Sequence, residues 1–244
     1  MVEPAKNTNR LPQIVWPRLI SGRLIRRYNR FLADVRLSSG ETVTAHCPNT
    51  GRMAGCSDPG RTVYLSCHDN PNRKYRYTWE LIRMPTSLVG VNTLVPNRLV
   101  YESLLAGGLP EFAGIKEVRR EVAAGKGSRI DLMAKVQNGA RCYVEVKNCT
   151  LVDEGVAQFP DAVTARGLKH IEALQRLARQ GHRVVMFYFV QRMDAVCFRP
   201  ADHIDPAYGR RLRQALEEGL EAIAYDVVLT TRQIRLHRRL PCEF

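Results

Sequence analysis

The sequence predicts an α+β protein with two domains, a small N-terminal β-barrel of the OB type and a C-terminal mixed α/β sheet. Residues 18–84 hold about five short strand patterns punctuated by Gly, Pro and Asn, with no convincing helix pattern, as in small barrels. From residue 96 onward strands and helices alternate in the order αβββαβ, which is typical of a helix-covered mixed sheet. A break at Pro85-Thr86-Ser87 divides the chain into residues 1–85 and 86–244.

The first unit combines basic residues with aromatic residues. Its predicted strands cover residues 19–28, 31–37, 41–46, 61–67 and 75–84. A nucleic-acid groove needs cations for phosphates and rings for stacking, and the candidates for such a groove are Arg23, Arg26, Arg27, Tyr28, Arg30, Arg73, Lys74 and Arg76. In the alternative reading half of the aromatic residues form barrel core. We assign Trp79 to the core, and Tyr28 or Tyr75 to stacking.

A loop of the first unit is a weaker candidate for phosphate binding. Pro48-Asn49-Thr50-Gly51 offers backbone N–H groups, and Arg52 follows directly. Consecutive N–H groups can form an anion-binding nest. Many tight turns share this composition, so the loop alone does not decide the function.

The second unit is predicted from periodicity and from residues that end helices. A helix over 96–106 has proline at its start and Gly107-Gly108 behind it, and a helix over 206–218 has Asp205 as its N-cap. A third helix, over 161–180, is closed by Gly181. The predicted strands cover residues 117–123, 129–136, 141–148, 183–191, 222–229 and 233–237.

The strands over 129–136 and 141–148 predict an antiparallel hairpin around Gln137-Asn138-Gly139. Glu145 and Lys147 share one face of their strand. A two-residue turn would place Asp131 opposite Val146, whereas a three-residue loop with left-handed Gly139 places it opposite Glu145. We expect the second register, because the first buries an unpaired carboxylate.

The second register gathers two carboxylates and a lysine on one patch of sheet. Asp131 and Glu145 could hold Mg²⁺, or Mn²⁺, since hard cations take oxygen ligands. Lys147 could orient a water or offset charge on a phosphate. Two further carboxylates, Glu102 on the first helix and Glu121 on the preceding strand, could assist, Glu102 as a third metal ligand. The alternative is a solvated strand face with an ordinary Glu–Lys pair.

The charge of the chain points to a polyanionic partner. It has 37 Lys and Arg against 24 Asp and Glu, a formal net charge of +13. Residues 1–85 carry 14 basic and 6 acidic side chains, and residues 86–244 carry 23 and 18. Basic proteins without an anchor most often bind nucleic acid, although a basic surface can also serve solubility.

The sequence also predicts a cytoplasmic protein with no membrane partner. No apolar run approaches the ~20 residues of a membrane helix, and residues 1–16, a predicted loose tail, lack a signal-peptide core. Seven cysteines without a Cys-x-x-Cys pair predict reduced thiols. A zinc site is conceivable, but its spacings match no familiar zinc motif; its ligands would be His46, Cys47, Cys56, Cys67 and His68. The oligomeric state stays open, a dimer included.

The order αβββαβ with carboxylates on the helix and hairpin and then Glu-x-Lys resembles the PD-(D/E)xK nuclease superfamily. The matching positions are Glu102, Asp131, Glu145 and Lys147, with Glu121 as a further candidate. The ordered set is moderately specific, whereas Glu-x-Lys alone is not. The resemblance implies a metal-dependent nuclease site.

A second resemblance spans almost the whole chain. It rests on the segments at 30–35, 45–51, 90–97, 128–131, 143–148, 159–170 and 201–206, which resemble the sugar fermentation stimulation protein A family of bacteria and archaea. It implies an OB-like domain, a nuclease-like domain, DNA binding and a role in regulating sugar-utilisation genes. One departure is Ala123-Ala124-Gly125-Lys126, where a tyrosine-bearing turn is expected.

The second resemblance also assigns a place to the segment at 161–170. A helix that follows the hairpin could turn four side chains toward a scissile phosphate, namely Thr164, Arg166, Lys169 and His170. Gly167 within this helix indicates close packing, since glycine costs ~1 kcal/mol relative to alanine there. A basic solvent face is the equally weighted alternative.

Three functions remain in order of preference. The first is a Mg²⁺-dependent nuclease whose barrel supplies DNA affinity, mainly without sequence specificity. The second is a DNA-binding regulator of sugar-utilisation genes that keeps the nuclease shape without turnover. The third is a hydrolase of small phosphorylated substrates, which would need a closed pocket and a less basic surface. No helix-turn-helix pattern supports specific reading of the major groove.

Overall fold

The computed structural model describes residues 11–125, 128–136 and 139–244. Residues 1–10 of the tail predicted at 1–16, Lys126 of the departing segment and Gln137-Asn138 of the predicted turn lie outside the described residues. The described end of that tail is not loose, because it contains a strand that joins a sheet. Among the described residues, no helix has the length and apolar character needed to cross a membrane. A first strand, β1 (Gln13–Val15), pairs antiparallel with the last strand of the chain and so belongs to the second unit.

The next strands form the predicted OB-like barrel. They are β2 (Ile20–Tyr28), β3 (Leu32–Leu37), β4 (Thr42–His46), β5 (Thr62–Cys67) and β6 (Tyr77–Arg83). The sheet order is β4-β3-β2-β5-β6, and a parallel pairing of β4 with β6 closes it. Alternating apolar residues fill the interior, and Trp79 is fully buried there, as predicted.

The barrel sheet does not coincide with the predicted first unit, residues 1–85, and the difference occurs at both ends of that unit. Strand β7 (Leu88–Gly90) extends the barrel sheet beyond that residue, and β1 leaves the first unit. Both strands have three residues, too few for a hydrophobic period to be recognisable in the sequence.

The second unit is built on a seven-stranded sheet of order β1-β16-β15-β13-β10-β9-β8. Its other strands are β8 (Ile115–Ala123), β9 (Arg129–Val136), β10 (Arg141–Cys149), β13 (Arg183–Val190), β15 (Leu220–Leu229) and β16 (Gln233–Leu240). Strands β10, β13 and β15 run parallel, and the remaining pairs are antiparallel. The αβββαβ order is therefore confirmed. A small second sheet, β11 (Leu151–Asp153), β12 (Val156–Phe159) and β14 (Cys197–Pro200), was not predicted.

Helices cover both faces of this sheet. On one face α1 (Leu94–Leu105) packs its buried residues against β8, β9 and β10, and a short 3₁₀ turn (Pro110–Phe112) follows it. On the other face lie α2 (Ala165–Arg179) and α3 (Pro206–Glu217). Helix α2 begins later than predicted because the Thr164 side chain accepts the Gly167 N–H at 3.0 Å and caps it. A Cβ on Gly167 would lie 3.1 Å from Tyr208, so the close packing predicted there is present.

Specific contacts connect the two units beside the hairpin. The loop after β4 touches the second unit twice: Pro48 O accepts a hydrogen bond from Thr93 Oγ1 at 2.5 Å, and Met53 N donates to Asp161 Oδ2 at 2.7 Å. Strand β7 contributes a third contact, Gly90 N to Gln191 O at 2.8 Å. The barrel loop is therefore held next to the segments that precede α1 and α2.

The barrel core predicts a large effect of truncating Trp79. Its ring is 0% exposed and its Nε1 donates to Leu81 O at 2.9 Å, so Trp79→Ala should lower the free energy of unfolding by about 3–5 kcal/mol. Urea denaturation checks this. Val196→Ala, at a side chain that is 62% exposed, is the control and should change it by less than about 0.5 kcal/mol. Equal effects of the two substitutions would contradict this account of the core.

Candidate active site

The hairpin adopts the register that opposes the two carboxylates. Strand β9 pairs with β10 through Leu132 and Val144, so the next position along each strand sets Asp131 against Glu145. Gly139 has φ +85°, the left-handed conformation expected for the last loop residue. The Asp131 carboxylate accepts the Val146 N–H at 2.9 Å, and Asp131 N donates to Glu145 Oε2 at 3.3 Å.

Glu145 is the buried centre of this site, with 1% of its surface exposed. Lys147 Nζ donates to its Oε1 at 2.7 Å, and His170 Nδ1 from α2 contacts the same oxygen. Lys147 Nζ also lies 3.0 Å from His170 Nδ1. Burial alone would raise the pKa of Glu145, but Lys147 and His170 outweigh it and hold this pKa below its ordinary value. Glu145 is therefore a stable anion.

Asp131 has the opposite electrostatic character. Burial, followed by the negative charge of Glu145, raises the pKa of Asp131 to about 6. Hydrogen bonds from Val146 and Asn97 and the charge of Lys147 reduce the shift without cancelling it. Two facing carboxylates with separated pKa values are common where a site does chemistry or binds a cation.

The first helix reaches the site through Asn97, which sequence analysis did not select. Its Nδ2 donates to Asp131 Oδ1 at 2.9 Å. Glu102 instead pairs with Arg98 Nε at 2.7 Å and is not among the residues lining the cavities at Asp131. Glu102 lies five positions after Asn97 in the helix, so the two side chains point about 140° apart around its axis. Pro96-Asn97 belongs to one of the segments that carry the family resemblance, so the sequence did contain a signal for Asn97.

Two cavities meet at the carboxylates. A cleft of about 190 Å³ contains Asp131, Glu145 and Lys147. A larger cavity of about 540 Å³ adjoins it, shares Asp131, Arg166 and His170 with it, and also contains Glu121. Glu121 has φ +52° within β8, a conformation that non-glycine residues rarely adopt and that concentrates at functional sites.

The four residues predicted on the helix after the hairpin have different roles. His170 is buried against Glu145, and Arg166 Nε lies 3.4 Å from His170 Nε2 at the cavity wall. Lys169 is exposed and lines the larger cavity. Thr164 caps the helix, and its own N–H donates to Asp205.

Most cations predicted on the barrel are engaged within the protein. Arg26 pairs with Asp34 at 2.8 Å, Arg76 pairs with Asp69 at 3.2 Å, and Arg23 donates to Gly60 O. Arg27 is a structural residue, since its guanidinium donates to four backbone carbonyls, those of Arg30, Asn49, Gly51 and Arg52. The other predicted barrel contacts also have partners: Tyr28 bonds Asp34, Arg73 bonds Thr78, and Lys74 lies over the ring of Tyr75.

Arg30 and Arg52 differ from these residues. Both are exposed, and both line a cleft of about 560 Å³ between the barrel loop and the segment at 159–164. The cleft therefore has walls from both units. The Pro48–Arg52 loop, a weak phosphate-binding candidate in the sequence, forms part of it.

The donor set of the site fits a hard divalent cation. The described residues contain no group of three or more His, Cys, Asp or Glu arranged to hold a metal, and this also leaves the zinc hypothesis without support in the described part of the chain. Asp131 and Glu145 supply carboxylate oxygens, and Asn148 Oδ1 in the same cleft is buried without a hydrogen-bond partner among the described residues. Mg²⁺ commonly binds through one or two carboxylates and keeps several waters.

Comparison with known proteins gives matches over nearly the whole chain. A family model described as "Sugar fermentation stimulation protein RE domain" matches residues 94–233, and one described as "SfsA N-terminal OB domain" matches residues 25–91. The sugar fermentation stimulation protein homolog of Geobacter sulfurreducens is 53% identical over 229 residues, covering 93% of this chain and 98% of its own length. The homolog of Pelobacter propionicus is 54% identical over 225 residues, 92% and 97% of the two chains.

A solved structure has the same fold. It is described as Pyrococcus furiosus SfsA in complex with Ca²⁺, and it superposes with a TM-score of 0.87 at 27% sequence identity. The match covers 95% of this chain and 98% of that chain. The arrangement of barrel and sheet is therefore common to both proteins.

The raised pKa of Asp131 predicts a pH-dependent effect of Asp131→Asn. The native carboxyl binds its proton up to about pH 6, and the unfolded carboxyl only up to about pH 4. The Asp131 carboxyl therefore makes its full contribution to the free energy of unfolding below pH 4, and this contribution is lost as the pH rises through 6. The free energy of unfolding of the variant minus that of the wild type should rise by about 2 kcal/mol between pH 4 and 7.

Urea denaturation in EDTA at a series of pH values measures this difference. Subtracting the two proteins cancels the titration of groups that do not interact with Asp131 and any pH-independent effect of the amide. A difference that does not change with pH would contradict the raised pKa.

Proposed function

The chain belongs to the sugar fermentation stimulation protein family, and we propose that it is a DNA-binding, Mg²⁺-dependent phosphodiesterase centred on Asp131, Glu145 and Lys147. The observation that carries this proposal is the placement of these three groups at one end of a rigid hairpin. Two carboxylates face each other in a cleft, and an ammonium group lies 2.7 Å from one of them. A solvated Glu–Lys pair would be exposed, whereas this one is buried.

The residues of the cleft would divide the work of a phosphodiester cleavage. Asp131 and Glu145 would hold the metal, with Asn97 fixing the orientation of the Asp131 carboxylate. A bound Mg²⁺ would polarise a phosphoryl oxygen and lower the pKa of its water. Lys147 would orient the attacking water and offset charge that develops on the phosphate. Arg166, on the wall shared by both cavities, would contact the phosphate oxygens.

His170 would act through its neighbours. Its ring contacts Glu145 and Lys147 on one side and Arg166 on the other. It therefore fixes the positions of three charged groups without facing the phosphate itself. We assign it a positioning role and not the phosphate-binding role considered from the sequence.

Two further facts support a metal-dependent reaction. The raised pKa of Asp131 includes repulsion from Glu145, which a cation between the carboxylates would relieve. A relative of the same fold, at 27% identity, is described in complex with Ca²⁺, another hard cation that takes oxygen ligands. Manganese would serve as an alternative to magnesium.

Cleavage of DNA by the purified protein tests the proposal. Labelled single-stranded, duplex and branched DNA should be cut with Mg²⁺ or Mn²⁺ and remain intact with EDTA, and Asp131→Ala should lower cutting to background. Lys147→Ala should abolish cutting while DNA affinity changes less than about twofold, because the lysine acts on the reacting groups. Binding without cutting on every substrate would favour the alternative, a DNA-binding regulator of sugar-utilisation genes without turnover.

A second comparison identifies the contribution of the first helix. Asn97→Ala removes the donor to Asp131 and should lower the single-turnover rate by at least about tenfold, since it frees a carboxylate that must hold its geometry. Glu102→Gln should lower that rate less than about threefold, because Glu102 pairs with Arg98 at the surface. A larger loss of rate from Glu102→Gln than from Asn97→Ala would instead support Glu102, the residue chosen from the sequence, as the contribution of the first helix.

A further inference from the structure

We propose that a single strand of DNA, and not a duplex on the outer face of the barrel, crosses the protein through a groove between its two units. The inference rests on the proposed function in one respect, because it takes the carboxylate cleft as the place where the strand reacts. The groove has three parts: the inter-unit cleft at Arg30 and Arg52, the carboxylate cleft, and the larger cavity beyond Asp131.

The three parts lie side by side in the fold. The carboxylate cleft and the larger cavity share Asp131, Arg166 and His170. Among the described residues, the inter-unit cleft shares no lining residue with the carboxylate cleft, but two connections bring their walls together. Thr164 lines the former, and Arg166, two residues later, lines the latter. On the opposite wall, the barrel loop that lines the inter-unit cleft is bonded through Pro48 O to Thr93 of the carboxylate cleft.

Six cations along this groove make no ion pair with a carboxylate in the described part of the chain, namely Arg30, Arg52, Arg129, Arg166, Lys169 and Arg176. Two other cations of the groove are engaged: Lys147 pairs with Glu145, and Arg27 donates to backbone carbonyls. Some exposed arginines elsewhere are ion-paired, as in Arg199–Glu243 and Arg213–Asp202. A polyanion gains most where no internal carboxylate competes for the cation.

Two barrel cations that the sequence favoured lack this property. Arg26 and Arg76 are held by Asp34 and Asp69, and a phosphate there would have to displace a carboxylate. Arg23, Arg73 and Lys74 make no ion pair with a described carboxylate, but each has a carbonyl, hydroxyl or ring partner within the barrel. We therefore place the main DNA contacts in the groove and not at Arg26 and Arg76.

Two exposed apolar side chains indicate that the strand is unpaired. Val163 lines the inter-unit cleft and is 77% exposed, and Phe31, which follows Arg30 in the sequence but is not among the described residues lining that cleft, is 43% exposed. Unpaired bases offer apolar faces to such side chains, whereas a duplex hides those faces in its own stack. The carboxylate cleft, at about 190 Å³, is also smaller in volume than the neighbouring cavities of about 560 and 540 Å³. A flexible strand can enter a small cleft more readily than a stiff duplex.

Fluorescence anisotropy with the full chain in EDTA tests the path without cleavage. The probes are a labelled oligothymidylate and a labelled duplex of equal length, titrated at several salt concentrations. Arg30→Gln/Arg52→Gln should weaken oligothymidylate binding by at least about tenfold and reduce the salt slope by about 1.4, as expected for two lost phosphate contacts on a single strand. Arg199→Gln/Arg213→Gln, which removes two ion-paired charges, is the matched control and should change neither quantity.

Two more variants separate the alternatives. Phe31→Ala/Val163→Ser should lower affinity for the oligothymidylate about five- to tenfold while the salt slope stays constant, because stacking involves no counterion. Arg26→Gln/Arg76→Gln removes two positive charges from the outer face of the barrel, the alternative site for DNA. A larger loss from this pair than from Arg30 and Arg52, or equal affinity for duplex and oligothymidylate, would overturn the proposal.

The binding and cleavage results are distinguishable. If binding in EDTA depends on the groove residues but Mg²⁺ gives no cutting, the proposed cleavage activity is wrong and the proposed strand path stands. If the protein cuts DNA with metal but Arg30→Gln/Arg52→Gln leaves binding unchanged, the cleavage activity stands and the strand path is wrong.

Discussion

The burial of the Glu145 carboxylate beneath α2 is the constraint on which the site depends. A buried carboxylate is costly unless charge and hydrogen bonds compensate it. Lys147 from the same strand and His170 from α2 provide that compensation. The position of α2 is thus linked to the position of the ammonium group, and both are linked to the hairpin. Removing either partner would leave charge unbalanced in the interior, so packing and chemistry cannot vary independently here.

The two units of the protein meet at the same place. The barrel loop after β4 is bonded to Thr93 before α1 and to Asp161 before α2, and these two helices supply Asn97 and His170 to the carboxylates. Arg27 stabilises that loop from within, by binding its carbonyl groups. The barrel therefore contributes to the walls of the groove through a loop that is fixed at both ends. DNA binding and phosphodiester chemistry, as proposed, would occur on one continuous surface.

Much of the candidate site followed from local rules. Strand alternation placed Glu145 and Lys147 on one face, and the loop with left-handed Gly139 set Asp131 opposite Glu145. The cap at Asp205 and the closing glycine at Gly181 predicted where helices begin or end. Glu102 was selected because it borders the buried face of its helix, but the rotation of α1 about its axis is set by packing against the sheet. That rotation turns Asn97 toward Asp131 instead.

The sequence by itself determined the family resemblance, the barrel followed by αβββαβ, and the facing carboxylates, because each depends on local segments, a short period, a turn or the order of elements along the chain. Only the tertiary structure decided which cations are free. Arg26 and Arg30 look equivalent in the sequence, yet Asp34 neutralises one and no described carboxylate pairs with the other. The same holds for β1, a three-residue strand that pairs with residues of β16 more than 200 positions away. Pairing between distant segments leaves no local signal, and it is this pairing that distributes charge over the surface.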